Sequence, residues 1–80
     1  MSLDSIRELV LQHARLACDQ EKITADANLY ELGLTSLTTV NLMLALEEHF
    51  DLEFPQQMLS RKTFESIRAM ADVIEELRAE

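Results

Sequence analysis

Eighty residues give room for one small domain, near the lower limit at which a core sustains itself, and 48% apolar content is enough for a single core. One Gly and one Pro exclude a turn-rich all-β chain, and a formal charge of −8 excludes a nucleic-acid binder, whose phosphates would be repelled. No apolar run is long enough for a membrane span, and Met1-Ser2-Leu3-Asp4 has no basic stretch leading into an apolar one, so neither membrane nor signal peptide is expected.

Leu, Ala, Glu, Gln, Arg and Met dominate, which favours helix. The first helix is expected over Leu3 to Cys18. Leu3, Ile6, Leu9, Val10, His13, Leu16 and Ala17 fall on one face, and Asp4, Arg7, Glu8, Gln12 and Arg15 on the other. His13, beside the apolar stripe, reads as a packing histidine. The lone Cys18 cannot form an intrachain disulfide and fits a reducing, cytoplasmic setting.

Residues 19–35 lack periodicity and make a long connection. Ile23, Leu29, Leu32 and Leu34 are placed to peg it onto the core, so an ordered loop is expected, and Gly33 near its end suits a positive φ. The second helix is expected over Ser36 to Phe50, with the Thr35-Ser36 pair as the source of its cap. Val40, Leu42, Met43, Leu44, Ala45 and Leu46 make its middle apolar nearly all round. Such a helix either meets core on more than one side or leaves apolar side chains for partners. Glu47 and Glu48 stand at its C-terminal end, against the macrodipole preference for cations there. Pro55 suits the first turn of a short helix to Leu59, pegged by Phe54, Met58 and Leu59. Thr63 is then expected to cap a last helix, Phe64 to Arg78, with Phe64, Ile67, Met70, Ala71, Ile74 and Leu77 inward.

Charge is uneven along this layout. No Lys or Arg occurs between Lys22 and Arg61, whereas Asp26, Glu31, Glu47, Glu48, Asp51 and Glu53 lie in that interval. A single-sign region steers partners with basic patches; its plainer reading is a solvated acidic face. Catalysis and metal binding are not expected. A hydrolase elbow needs a Gly two residues after its Ser, where Thr38 stands. An EF-hand count from Asp26 puts Glu31 at the obligatory glycine and Leu37 at the closing glutamate. His13 and Cys18 have no second pair to complete a zinc site.

One stretch carries more than its composition. Gly33-Leu34-Thr35-Ser36-Leu37, the helix end Glu47-Glu48-His49-Phe50, and Pro55 follow one another in an order that resembles the attachment-serine region of acyl carrier proteins. In that family Gly-x-Asp-Ser-Leu precedes a recognition helix ending Glu-Glu-x-Phe, then a short extended piece and Pro. The resemblance implies an all-α, acyl-carrier-like four-helix bundle with three long helices, one short helix and a long first loop, forming a single carrier domain over 1–80. It also implies a monomeric, non-catalytic carrier with a covalent 4′-phosphopantetheine on Ser36, installed by a phosphopantetheinyl transferase with magnesium. Cargo would be held as a thioester and delivered to partner enzymes. Those partners are an acyl or aminoacyl ligase and downstream synthases or transferases with basic docking patches. Thr35, Leu37, Val40, Asn41, Met43, Leu44, Glu47 and Glu48 are the implied partner or cargo contacts.

The chain departs from the pattern in the first half of that helix. Thr35 replaces the usual Asp before the serine, and Thr38 and Asn41 stand where fatty-acid carriers are often acidic. General fatty-acid synthesis is therefore disfavoured, and a dedicated pathway for a specialised acyl or polyketide unit is placed first. The alternatives are an aminoacyl or peptidyl carrier served by a stand-alone ligase, and an unmodified helical adaptor docking through its acidic face.

Overall fold

A computed structural model describes residues 3–14, 16 and 18–79. Three α-helices carry the architecture: α1, Leu3–His13; α2, Ser36–Phe50; and α3, Ile67–Ala79. α1 packs against both α2 and α3. Ile6, Val10 and Ala14 meet Leu42 and Leu46 from α2, and Ile67, Met70, Ala71 and Ile74 from α3, in one buried cluster. Each fully buried Leu, Ile, Val or Met contributes roughly 1.5–3 kcal/mol of transfer free energy, so this cluster is what holds the helices together. No helix among the described residues is long and apolar enough to cross a membrane.

The expected fourth helix is a single 3-10 turn, Gln56–Met58. Pro55 stands just outside it in extended conformation rather than at its first helical position. Phe54 is buried and Met58 half-buried, but Leu59, expected as a peg, is exposed. Too few residues separate the extended Pro55 from the turns around Arg61 for a helix to propagate past its costly first turn.

α1 is shorter than its periodicity suggests. It stops at His13, although Ala14 still donates its N–H to the Val10 carbonyl at 2.9 Å. Leu16 and Cys18 pack on the core from the loop, while Arg15 and Ala17 lie outside the described residues. Arg7, assigned to the solvent face, instead holds this loop: Nε donates to the Ile23 carbonyl at 3.1 Å and a terminal nitrogen to the Gln20 carbonyl at 2.9 Å.

α3 begins three residues later than expected. The Ser66 hydroxyl accepts the Ala69 N–H at 3.0 Å, so Ser66 provides the cap. Thr63 is itself buried, with its hydroxyl 3.3 Å from that of Ser60, and Phe64 is buried in the preceding turn. The inward face is otherwise as the periodicity indicates, with Leu77 half-buried.

The long loop is ordered by its pegs. Ile23, Leu29 and Leu34 are buried and Leu32 half-buried. Leu29 donates to the Glu65 carbonyl at 2.7 Å, and Arg68 donates its backbone N–H to the Ala25 carbonyl at 2.9 Å. The Arg68 side chain pairs with Asp26 at 2.6 Å; this hydrogen-bonded carboxylate holds the guanidinium above its ordinary pKa. Gly33 adopts φ 117°, a region only glycine occupies readily. That turn brings the chain to the start of α2.

Candidate functional site

Four hydroxyl side chains, Thr35, Ser36, Thr38 and Thr39, crowd the start of α2, and the backbone divides the work among them. Thr35, not Ser36, is the N-cap: its φ of −111° and ψ of 170° are extended, and its Oγ1 accepts the Thr38 N–H at 3.2 Å. The Thr38 hydroxyl reaches back to accept the Thr35 N–H at 3.0 Å, closing a reciprocal capping box. Thr39 Oγ1 donates to the Thr35 carbonyl at 2.6 Å. Ser36 is therefore the first helical residue. It is exposed, and no bond of the cap runs through its hydroxyl. A plain capping role for Ser36 is excluded because its neighbour fills it.

Beside Ser36 lies a cleft of about 400 Å³. Thr39, Val40 and Met43 line it from α2, and Leu59, Arg61 and Phe64 from the segment leading to α3. Tyr30 closes one side from the long loop, with the Arg61 guanidinium 3.9 Å from its ring centre. The cleft lining is mostly apolar, with hydroxyls and one cation among it.

Along α2, Leu37 is 72% exposed, Val40 48% and Leu44 54%. With Asn41, also exposed, these side chains recur at three- and four-residue intervals and form one outward stripe. Only Leu42 and Leu46 of this helix are fully sunk into the core, so its broad apolar middle is divided between core and surface. Met43 is half-buried against the core and lines the cleft.

The two glutamates separate. Glu48 is exposed, whereas Glu47 Oε2 accepts the Phe54 N–H at 2.9 Å. Glu47 thus satisfies a backbone donor where the chain leaves the helix, a role no local sequence rule reveals because its partner lies seven residues on. The sequence also gave no signal for Arg61 and Tyr30, which flank the cleft from elements far apart in the chain. Among the described residues, no three His, Cys, Asp or Glu side chains are grouped to hold a metal.

The donor set fits a phosphodiester. A helix N-terminus presents backbone N–H groups and the positive end of the dipole to an anion, and here a free hydroxyl sits at that end. The geometry leaves room for a bulky substituent, since Ser36 faces solvent and an open cleft.

Residues 3–74 match the family described as "Phosphopantetheine attachment site". The chain is 43% identical over 70 residues to an aminoacyl carrier protein of Agrobacterium fabrum, covering 88% of this chain and 84% of that one. It is 36% identical over 72 residues to an acyl carrier protein of Akkermansia muciniphila, covering 89% and 81%. Its fold is similar, with a TM-score of 0.87 and 40% identity, to a chain in the structure of an engineered Bradyrhizobium japonicum glycine:[carrier protein] ligase complexed with carrier protein from Agrobacterium tumefaciens and ATP. That match covers 92% of this chain and 96% of the other.

Proposed function

The chain belongs to the acyl carrier protein family, non-catalytic carriers of 4′-phosphopantetheine, and we propose that it is an aminoacyl carrier bearing that arm on Ser36 and loaded by a stand-alone ligase. The observation that carries the attachment residue is the division of labour at the start of α2. Thr35 and Thr38 supply the cap, and Ser36 keeps an unspent, outward hydroxyl at the anion-favouring end. When attached, the arm's terminal thiol holds cargo as a thioester, which raises the cargo's effective concentration at each partner.

The chain's own residues do the rest. The α2 N-terminus stabilises the phosphodiester, and the capping box fixes the direction in which the arm leaves. The stripe of Leu37, Val40, Asn41 and Leu44 gives an apolar docking face, with Glu48 at its far end for a basic partner residue. Thr35, Met43 and Glu47 have internal duties as well, in the cap, the cleft wall and the helix end.

Aminoacyl cargo is placed ahead of the specialised acyl cargo that the sequence alone puts first. It is supported by 43% identity sustained over 88% of this chain to an aminoacyl carrier and by the resemblance to a chain seen with a glycine ligase. A second reading, acyl cargo, is favoured by the mostly apolar lining of the cleft beside Ser36.

Intact-protein mass spectrometry tests both levels. The purified chain is incubated with coenzyme A, magnesium and a promiscuous phosphopantetheinyl transferase, with Ser36→Ala alongside. One phosphopantetheine on the parent and none on the variant is expected. The loaded protein is then offered ATP with a glycine:carrier ligase or with an acyl ligase, and a glycyl adduct is expected. An acyl adduct alone would reverse the order of cargo. No arm on a folded parent with two different transferases would leave the adaptor reading standing.

A further inference from the structure

We propose that Arg61, held against the Tyr30 ring, is the positioning residue for the phosphodiester on Ser36, pinning the root of the arm across the cleft. This rests on the reading of Ser36 as the attachment residue.

A phosphodiester brings a further negative charge to a chain already at −8, in an interval that contains no Lys or Arg from residue 23 to residue 60. The helix N-terminus meets part of that charge. Among the described residues, the only lysine or arginine lining the cleft with Ser36 is Arg61. Other arginines are committed elsewhere: Arg7 to the carbonyls of Gln20 and Ile23, and Arg68 to Asp26. Among the described residues Arg61 has no carboxylate partner.

Its guanidinium is nevertheless held in place. At 3.9 Å from the Tyr30 ring centre it is in close cation–π contact, an interaction that uses none of the guanidinium N–H groups as donors to oxygen. Those N–H groups match two phosphate oxygens, the pairing in which arginine surpasses lysine. Both supports are fixed by backbone bonds. Tyr30 donates its N–H to Asn28 Oδ1 at 3.0 Å and accepts from Gly33 at 3.3 Å, and the Arg61 carbonyl accepts from Phe64 at 3.2 Å. A fixed, unpaired guanidinium sharing a cleft with the attachment hydroxyl is chemistry for an anion on that hydroxyl.

Phosphorus-31 and arginine-side-chain nitrogen-15 NMR on the loaded protein test this directly. In the parent, attachment of the arm is expected to move the Arg61 Nε–H resonance and to leave that of Arg68 in place. The phosphorus resonance of loaded Arg61→Gln is expected to shift from the parent position, and loaded Tyr30→Leu to shift the same way. Lys62→Gln, which removes the same charge from the neighbouring exposed position, is expected to leave it unmoved. Arg61→Lys keeps the charge without the fork and should fall between; it is read in place of the glutamine variant if that variant cannot be loaded. Raising the salt to about 1 M, where the Debye length is about 3 Å, should bring parent and variant together. Identical phosphorus positions in parent and Arg61 variants, or an equal shift in Lys62→Gln, would overturn the proposal while the carrier reading stands. A parent that accepts no arm would overturn both.

Discussion

The two ends of α2 are built on opposite plans. At its N-terminus the helix is neutral and exposed, closed by a capping box that leaves Ser36 out. At its C-terminus it is acidic and tied down. Asp51 turns the chain in left-handed conformation, Leu52 donates back to the Glu47 carbonyl at 3.1 Å, and the Glu47 carboxylate takes the Phe54 N–H. Glu47 spends its carboxylate on the fold, whereas Ser36 keeps its hydroxyl in reserve. A hydroxyl next to a cap, rather than in it, can be modified without unfastening the helix.

The sharpest way to break that contrast is Ser36→Ala. Loading is expected to fall from one arm to none by mass spectrometry, while stability stays within about 0.5 kcal/mol, as for a surface change away from any cap. A melting temperature that dropped as for a lost cap would mean that Ser36 shares the work of Thr35.

Next in size is the same truncation on two faces of the helix. Leu46→Ala, at a fully buried position, is expected to cost about 2–5 kcal/mol in urea unfolding. Leu37→Ala, at the exposed end, should cost under about 0.5 kcal/mol yet slow transfer to a partner enzyme. Equal losses of stability would deny that the stripe is kept for docking.

The glutamate pair separates fold from surface at the far end. Glu47→Ala strips the Phe54 N–H of its acceptor and is expected to cost about 1–2 kcal/mol, whereas Glu48→Ala should stay within about 0.5 kcal/mol. At the near end, Thr35→Ala removes the cap and should cost about 1 kcal/mol with loading intact.

How far the sequence carries this reading depends on the range of each interaction. The bounds of α2 follow from local signals: hydroxyl residues at its start, an unbroken run of helix formers, and a turn at its end. The pegs Ile23, Leu29 and Leu34 were legible because apolar residues in a polar stretch must go somewhere. Local signals were less decisive where several hydroxyls competed for a cap. The Thr35-Ser36 pair left the choice open at α2, where Thr35 takes the cap, and at α3 Ser66 rather than the expected Thr63 provides it, because backbone conformation decides which hydroxyl reaches an orphan N–H. Long-range bonds were invisible. Arg7 to Ile23, Glu47 to Phe54 and Asp26 to Arg68 join residues that no periodicity pairs, and the first of them holds the loop that follows the early end of α1. Ser36 stood out through the motif it shares with the family, whereas the cleft beside it required the fold.

The smallest expected effect probes why the acidic end tolerates its own chemistry. Asp51 holds φ 53° and ψ 57°, a conformation that favours glycine, and it places a carboxylate beside the negative end of the helix dipole. Both features oppose stability, in a chain already strongly acidic. Asp51→Asn removes the charge and keeps a side chain that tolerates the left-handed region; Asp51→Gly also removes the Cβ clash, at the cost of a freer unfolded chain. Each is expected to stabilise, by about 0.5 kcal/mol, and so to raise the melting temperature by roughly 2–4 °C. If Asn gains and Gly adds nothing, the strain is electrostatic. If Gly alone gains, it is steric. A loss in both would show that the Asp51 carboxylate has an acceptor role at this turn, beside that of Glu47.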